Sequence, residues 1–119
     1  MLGKKLSCPD SETNLTFIAG MVLQDGSRQV TMYDAAPTVR NSVVLYCGEA
    51  DGCNWGTTAT NRSTDALARL MLAQVGAEVG VPVEAFVQEF VRVRMVSGKM
   101  WIVSLADMKA WVAKNQVIQ

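Results

Sequence analysis

The apolar residues of this chain change their spacing near residue 60, and that change governs what it can fold into. Before it, short apolar and β-branched runs are separated by turn signals; after it, apolar residues recur three and four apart. The first pattern belongs to strands and the second to helices with one buried stripe. Elements with one apolar face must bury it against each other, so helices are expected to pack on a sheet.

In the first half, residues 15–23 are apolar on both faces, with Phe17, Ala19, Met21 and Leu23 on one of them. Asp25-Gly26 follows, a hairpin signal because Gly accepts the positive φ of a tight turn. Residues 29–34 alternate and should pair back on the first strand. Pro37 breaks the run, and residues 42–47, rich in β-branched side chains, predict a third strand ending at the polar turn 48–52.

In the second half, Ser63-Thr64-Asp65 offers helix caps, and Leu67, Leu70, Met71 and Val75 form a stripe that should end near Gly76 or Gly80. Pro82 suits the first turn of a second helix, whose stripe is Val83, Phe86, Val87, Phe90 and Val91. Residues 100–103 read as a short strand. Ser104 then caps a last helix, with Asp107 in an imperfect capping box. Its Leu105, Met108, Trp111 and Val112 should face inward, and Lys109, Lys114 and Asn115 outward. The expectation is an α+β fold: an antiparallel sheet from the N-terminal half with helices on one face, plus a late strand and a C-terminal helix. No linker or repeat divides residues 1–119, which read as a single domain; residues 1–14 are expected to be a poorly ordered N-terminal segment.

Composition narrows the function. Half of the 119 residues are apolar and 18% are charged, as in a chain that folds around a core. Eleven Lys and Arg balance eleven Asp and Glu, whereas a general duplex-DNA binder is strongly basic. The chain has no His, which removes the Ser-His and Cys-His arrangements, the usual zinc sites and the commonest general base. Glu84 and Glu89 lie on a helix surface without the geometry of an acid/base pair. No catalytic residue, metal or cofactor is therefore expected. Cys8, Cys47 and Cys53 are odd in number and show no metal-ligand spacing, so they read as free thiols in a reducing compartment. With neither a signal-peptide pattern nor a membrane-length apolar run, the expected location is cytoplasmic.

Residues 51–63 fit packing least well. They hold one Trp, two Gly, three Thr, two Asn and an Arg, and they lead straight into a helix N-terminus, where free amides and the helix dipole favour anions. Arg62 could hold a phosphate by a charge-assisted bond worth about 1.5–3 kcal/mol. Trp55 could stack on a base, worth about 1–3 kcal/mol, or it could plug the core while Gly56 turns the chain and the Thr and Asn residues cap. Neither nucleotide-binding glycine fingerprint is present.

Gly52-Cys53-Asn54-Trp55-Gly56, the Thr-rich stretch after it and Asp65-Ala66-Leu67-Ala68-Arg69-Leu70-Met71-Leu72 resemble the signature of a small family common in phages and bacteria. That signature is Gly-Phe-x-Trp-Gly-Tyr-x-Gly-Ser-Gly-Pro followed by a Leu-Ala-rich helix, and most members have no known function. The similarity continues weakly through Phe86 and Phe90 to Trp101-Ile102-Val103-Ser104 and Trp111-Val112, and Asn41-Ser42 echoes an Asn-His-Ser element. The chain departs from it where Cys53 replaces the aromatic, Thr57 replaces the Tyr and Ala59-Thr60-Asn61-Arg62 replaces the Gly-Ser-Gly-Pro turn. Phage proteins of similar size and strand-then-helix order include anti-defence sponges that sequester the cyclic nucleotide or cyclic ADP-ribose signals of bacterial immunity. By analogy, the resemblance implies a viral, non-catalytic protein of the host cytoplasm that binds a small anionic nucleotide-like ligand. The alternative is a protein–protein interaction module or an inhibitor of a host defence protein.

The ligand-binding candidates are Asn54, Trp55, Gly56, Thr58, Asn61, Arg62 and Ser63 in the loop, with Arg94 and Arg40 outside it. Arg94 interrupts the apolar stripe of the second helix. Arg40 could join a phosphate pocket at the end of the sheet. Arg92 and Arg69 read as solvated charges, and Trp101 and Trp111 as core or interface. The apolar first strand and the apolar residues on several helix faces predict a homo-oligomer.

Overall fold

A computed structural model describes residues 16–34, 42–77 and 80–116. The strands are β1 (Thr16–Val22), β2 (Arg28–Asp34), β3 (Ser42–Gly48) and β4 (Trp101–Ser104). The helices are α1 (Asn61–Ala73), α2 (Val83–Phe86), which runs on as a π-helical segment (Val87–Arg94), and α3 (Leu105–Asn115). The architecture is α+β.

The sheet is antiparallel with strand order β3-β2-β1-β4. The first three strands form a meander, and β4 returns 79 positions after the end of β1 to pair with it, Ile18 opposite Val103 and Gly20 opposite Trp101. Asp25-Gly26 makes the β1–β2 turn: Gly26 has a φ of +89°, and the Asp25 carboxylate accepts from both the amide and the hydroxyl of Ser27. Between Val30 and Thr31 the β2–β3 register slips, so that Tyr46 faces Val30 while Val44 faces Thr31. Leu45 is the bulged residue.

One side of the sheet is buried. Ile18, Val30, Trp101 and Val103 point to it and meet Leu67, Met71 and Leu72 of α1, Phe86, Phe90 and Val91 of the second helix, and Met108 and Trp111 of α3 in one cluster. The expected stripe of α1 is shifted: Ala68 and Leu72 are fully buried, whereas Leu70 is half-buried. Phe86 and Phe90 stack with centroids 4.6 Å apart, and both present their rings edge-on to Trp111. Aromatic pairs in these offset and edge-to-face arrangements add about 0.5–1.5 kcal/mol beyond the area they bury. Glu89 has a partner, since the Trp111 indole N–H donates to its carboxylate at 3.2 Å.

Two helix starts compare with the sequence differently. Ser104 caps α3 as expected, accepting from the Asp107 amide at 3.0 Å. α1, however, begins at Asn61 with Thr60 as its cap. Ser63 and Thr64 lie inside the first turn, buried, with their hydroxyls bonded back to the Thr60 carbonyl. In the second helix Pro82 is the cap rather than a first-turn residue. The π-helical continuation is a further departure: π segments longer than one turn are rare, and an i, i+4 apolar stripe reads as an ordinary α-helix. Residues 1–14 lie outside the described residues.

Candidate functional site

The loop from Cys53 to Thr60 is a brace between the sheet, α1 and the π segment. Trp55 is fully buried. Its ring meets Trp101 edge-on at 5.5 Å, its indole N–H donates to the Lys99 carbonyl at 2.9 Å, and the Arg28 guanidinium lies 5.5 Å from its centre. This corrects the stacking role: no face of the indole is open to a base. Asn54 is likewise committed, its side-chain oxygen accepting from Arg28 Nε at 2.9 Å and its amide donating to the Ser63 carbonyl at 3.3 Å. The buried Gly56 donates its amide to the Val91 carbonyl at 2.9 Å. Its φ of +93° and the approach of Ser97 leave no room for a side chain. Thr58 donates to the Ser97 hydroxyl at 3.1 Å.

Arg92 closes the brace. Its Nη1 donates to the carbonyls of Gly56, Thr57 and Ala59 at 3.1–3.3 Å, and its Nη2 donates to the Asn61 side-chain oxygen at 2.7 Å and reaches the Thr64 hydroxyl at 3.5 Å. The reading of Arg92 as a solvated charge is thus corrected. All five acceptors are neutral, so they fix the guanidinium without cancelling its charge. Only a planar multi-donor head can serve so many acceptors at once.

Beside this brace, α1 and the second helix bound an open groove of about 520 Å³, within the usual size range of small-molecule sites. Of the sequence candidates, Asn61 and Arg62 line it; Arg92 and Arg69 join them from outside that set. Val83 and Val87 supply an apolar wall and Gln88 an amide, while Asp65 and Glu84 are its carboxylates. Asp65 is taken up by Arg69, 2.8 Å away on the next turn of α1. Among the described residues, Arg62 has no hydrogen-bond or ion-pair partner. The groove therefore holds an exposed arginine, a braced one whose charge stands uncancelled, and the amide-rich start of a 13-residue helix.

The other candidates lie elsewhere. Ser63 faces the interior. Arg94 stands over the Phe90 ring at 4.3 Å and pairs with Asp107 at 3.3 Å, away from the groove. Arg40 falls outside the described residues. Thr58 edges a smaller hollow of about 280 Å³ with Val93, Met95 and Val96. Cys47 and Cys53 are free thiols; burial pushes Cys53 up to about 11, and Cys47 is exposed. No three of His, Cys, Asp and Glu among the described residues cluster as a metal site would require, and no helix there is long and apolar enough to cross a membrane. Sequence reasoning could not find Arg92, because its acceptors lie 28 to 36 positions earlier in the chain. Comparisons with protein-family models, curated proteins and solved structures give no match to this chain.

Proposed function

We propose that the protein binds a small phosphate-bearing, nucleotide-derived ligand in the α1–α2 groove and sequesters it without catalysis. The observation that carries this reading is the pairing of Arg92, fixed by neutral acceptors, with Arg62, which has no partner among the described residues. A phosphate bonded to Arg62 would replace no existing ion pair, and Arg92, its Nη donors already committed, would add only its uncancelled charge. Val83 and Val87 offer an apolar surface to a base or ribose face, and Asn61 and Gln88 offer amides to its polar edge. The resemblance to the phage and bacterial family, and the analogy with sponges, extend the reading to a viral counter-defence protein acting in the host cytoplasm on a cyclic oligonucleotide or cyclic ADP-ribose type of signal.

Calorimetric titration with cyclic di- and trinucleotides and cyclic ADP-ribose isomers tests the proposal. One of them should bind, and Arg62→Ala should weaken it at least tenfold, equivalent to about 1.4 kcal/mol. Absence of heat from the whole panel would remove the reading; tight binding untouched by Arg62→Ala would move the site out of the groove. A protein–protein module is the second reading, favoured by the outer face of the sheet, on which no helix packs among the described residues and where Val44 and Ile102 are exposed.

A further inference from the structure

A groove for phosphate alone would have no use for a free carboxylate, yet Glu84 lines this one. Its side chain takes no hydrogen-bond or ion-pair partner among the described residues. A carboxylate repels phosphate, so the anionic part of a ligand must lie away from it. The helices provide that separation. Arg92, late in the second helix, bonds to Asn61 and Thr64 at the start of α1. The two helices therefore run in opposite directions, and Glu84, in the first turn of the second helix, falls toward Arg69. Arg62 and Arg69 are seven residues apart on α1, a rise of roughly 10 Å at about 1.5 Å per residue. That is the reach of one nucleotide from its phosphate to the far edge of its base.

We infer that the far end of the groove, Glu84 with Arg69, selects guanine as the base of the ligand, an inference that rests on the reading of the groove as a nucleotide site. A carboxylate has two oxygens and only accepts. Guanine is the common base with two neighbouring donors on one edge, N1–H and the N2 amino group, to meet them. Adenine sets its N1 acceptor beside its amino group and cytosine its N3, so each would turn a lone pair toward Glu84. Uracil flanks its one N–H with two carbonyls. Arg69 supplies the complement. Its Nε is held by Asp65 at 2.8 Å, while its Nη groups have no partner among the described residues. Arginine donating to O6 and N7 is the commonest specific contact to guanine. An acceptor pair beside a donor pair is the counterpart of guanine's edge, and Val83 and Val87 form the wall against which the ring would lie.

Calorimetric titration of the full chain with cyclic di-GMP and cyclic di-AMP, which share a backbone and differ only in the base, tests the inference. Cyclic di-GMP should bind at least tenfold more tightly, as expected for loss of a bidentate base contact. Glu84→Gln puts a donor amide in place of one acceptor oxygen at an exposed position. It should remove most of that preference by weakening cyclic di-GMP, with the melting temperature within a few degrees of the wild type. Arg62→Ala should weaken the binding of cyclic di-GMP without making adenine the preferred base. An adenine ligand bound as tightly as cyclic di-GMP, or in its place, would overturn the guanine inference and leave the groove as a nucleotide site. A preference that survives Glu84→Gln would overturn it too. Absence of binding by every cyclic nucleotide and cyclic ADP-ribose isomer would overturn both readings together.

Discussion

Arg92 and Arg62 both line the groove beside α1, and their surroundings separate two kinds of polar surface. Around Arg92 the loop is used up: carbonyls, hydroxyls and an amide side chain all point at one guanidinium. Around Arg62 the groove is open, and the described residues give that side chain no partner. In composition the two regions look alike, each an arginine beside Asn and Thr residues. What distinguishes them is satisfaction. A polar group whose bonds are complete within the protein holds the fold, and one whose bonds are open is available to a ligand.

The contrast is broken most forcefully at Trp55. Trp55→Ala empties the centre of the brace and strands the Lys99 carbonyl, and it should cost about 3–5 kcal/mol in urea denaturation. If the loss were below about 1 kcal/mol, the indole would not be the plug described, and a stacking role would return. A smaller effect separates the two cysteines. With its thiol raised to about 11 by burial, Cys53 favours the neutral form in the folded state. Its contribution is fully present below the unfolded thiol value and is lost as the pH rises through about 11. At neutral pH an alkylating reagent followed by peptide mapping should modify Cys47 and spare Cys53 until the protein is unfolded. Equal modification of both under native conditions would show that the brace opens readily.

The first half was largely legible in the sequence because its signals are local. Asp25-Gly26 carries its own turn geometry, and β1, β2 and β3 fall within a residue or two of the expected strands. β4 and the Ser104 cap were legible for the same reason. The start of α1 was less so: Thr60, Ser63 and Thr64 are all competent caps, and only the burial of the last two decides among them. The π segment was hidden, because its stripe fits an α-helix equally well, and the contacts that accompany it, Gly56 on Val91 and Trp111 on Phe90, come from distant parts of the chain. The site divides in the same way. Asn61 and Arg62 were marked by the loop that leads into a helix, whereas Trp55 was decided by a carbonyl 44 positions away.

The most direct measurement is a pair of urea denaturation curves on the ligand-free protein, one for Arg92→Ala and one for Arg62→Ala. Arg92→Ala should lose about 1.5–3 kcal/mol, since it leaves several partly buried acceptors without their charged donor. Arg62→Ala should stay within about 0.5 kcal/mol of the wild type. Equal losses, or a greater loss at Arg62, would contradict the division between a braced loop and an open groove.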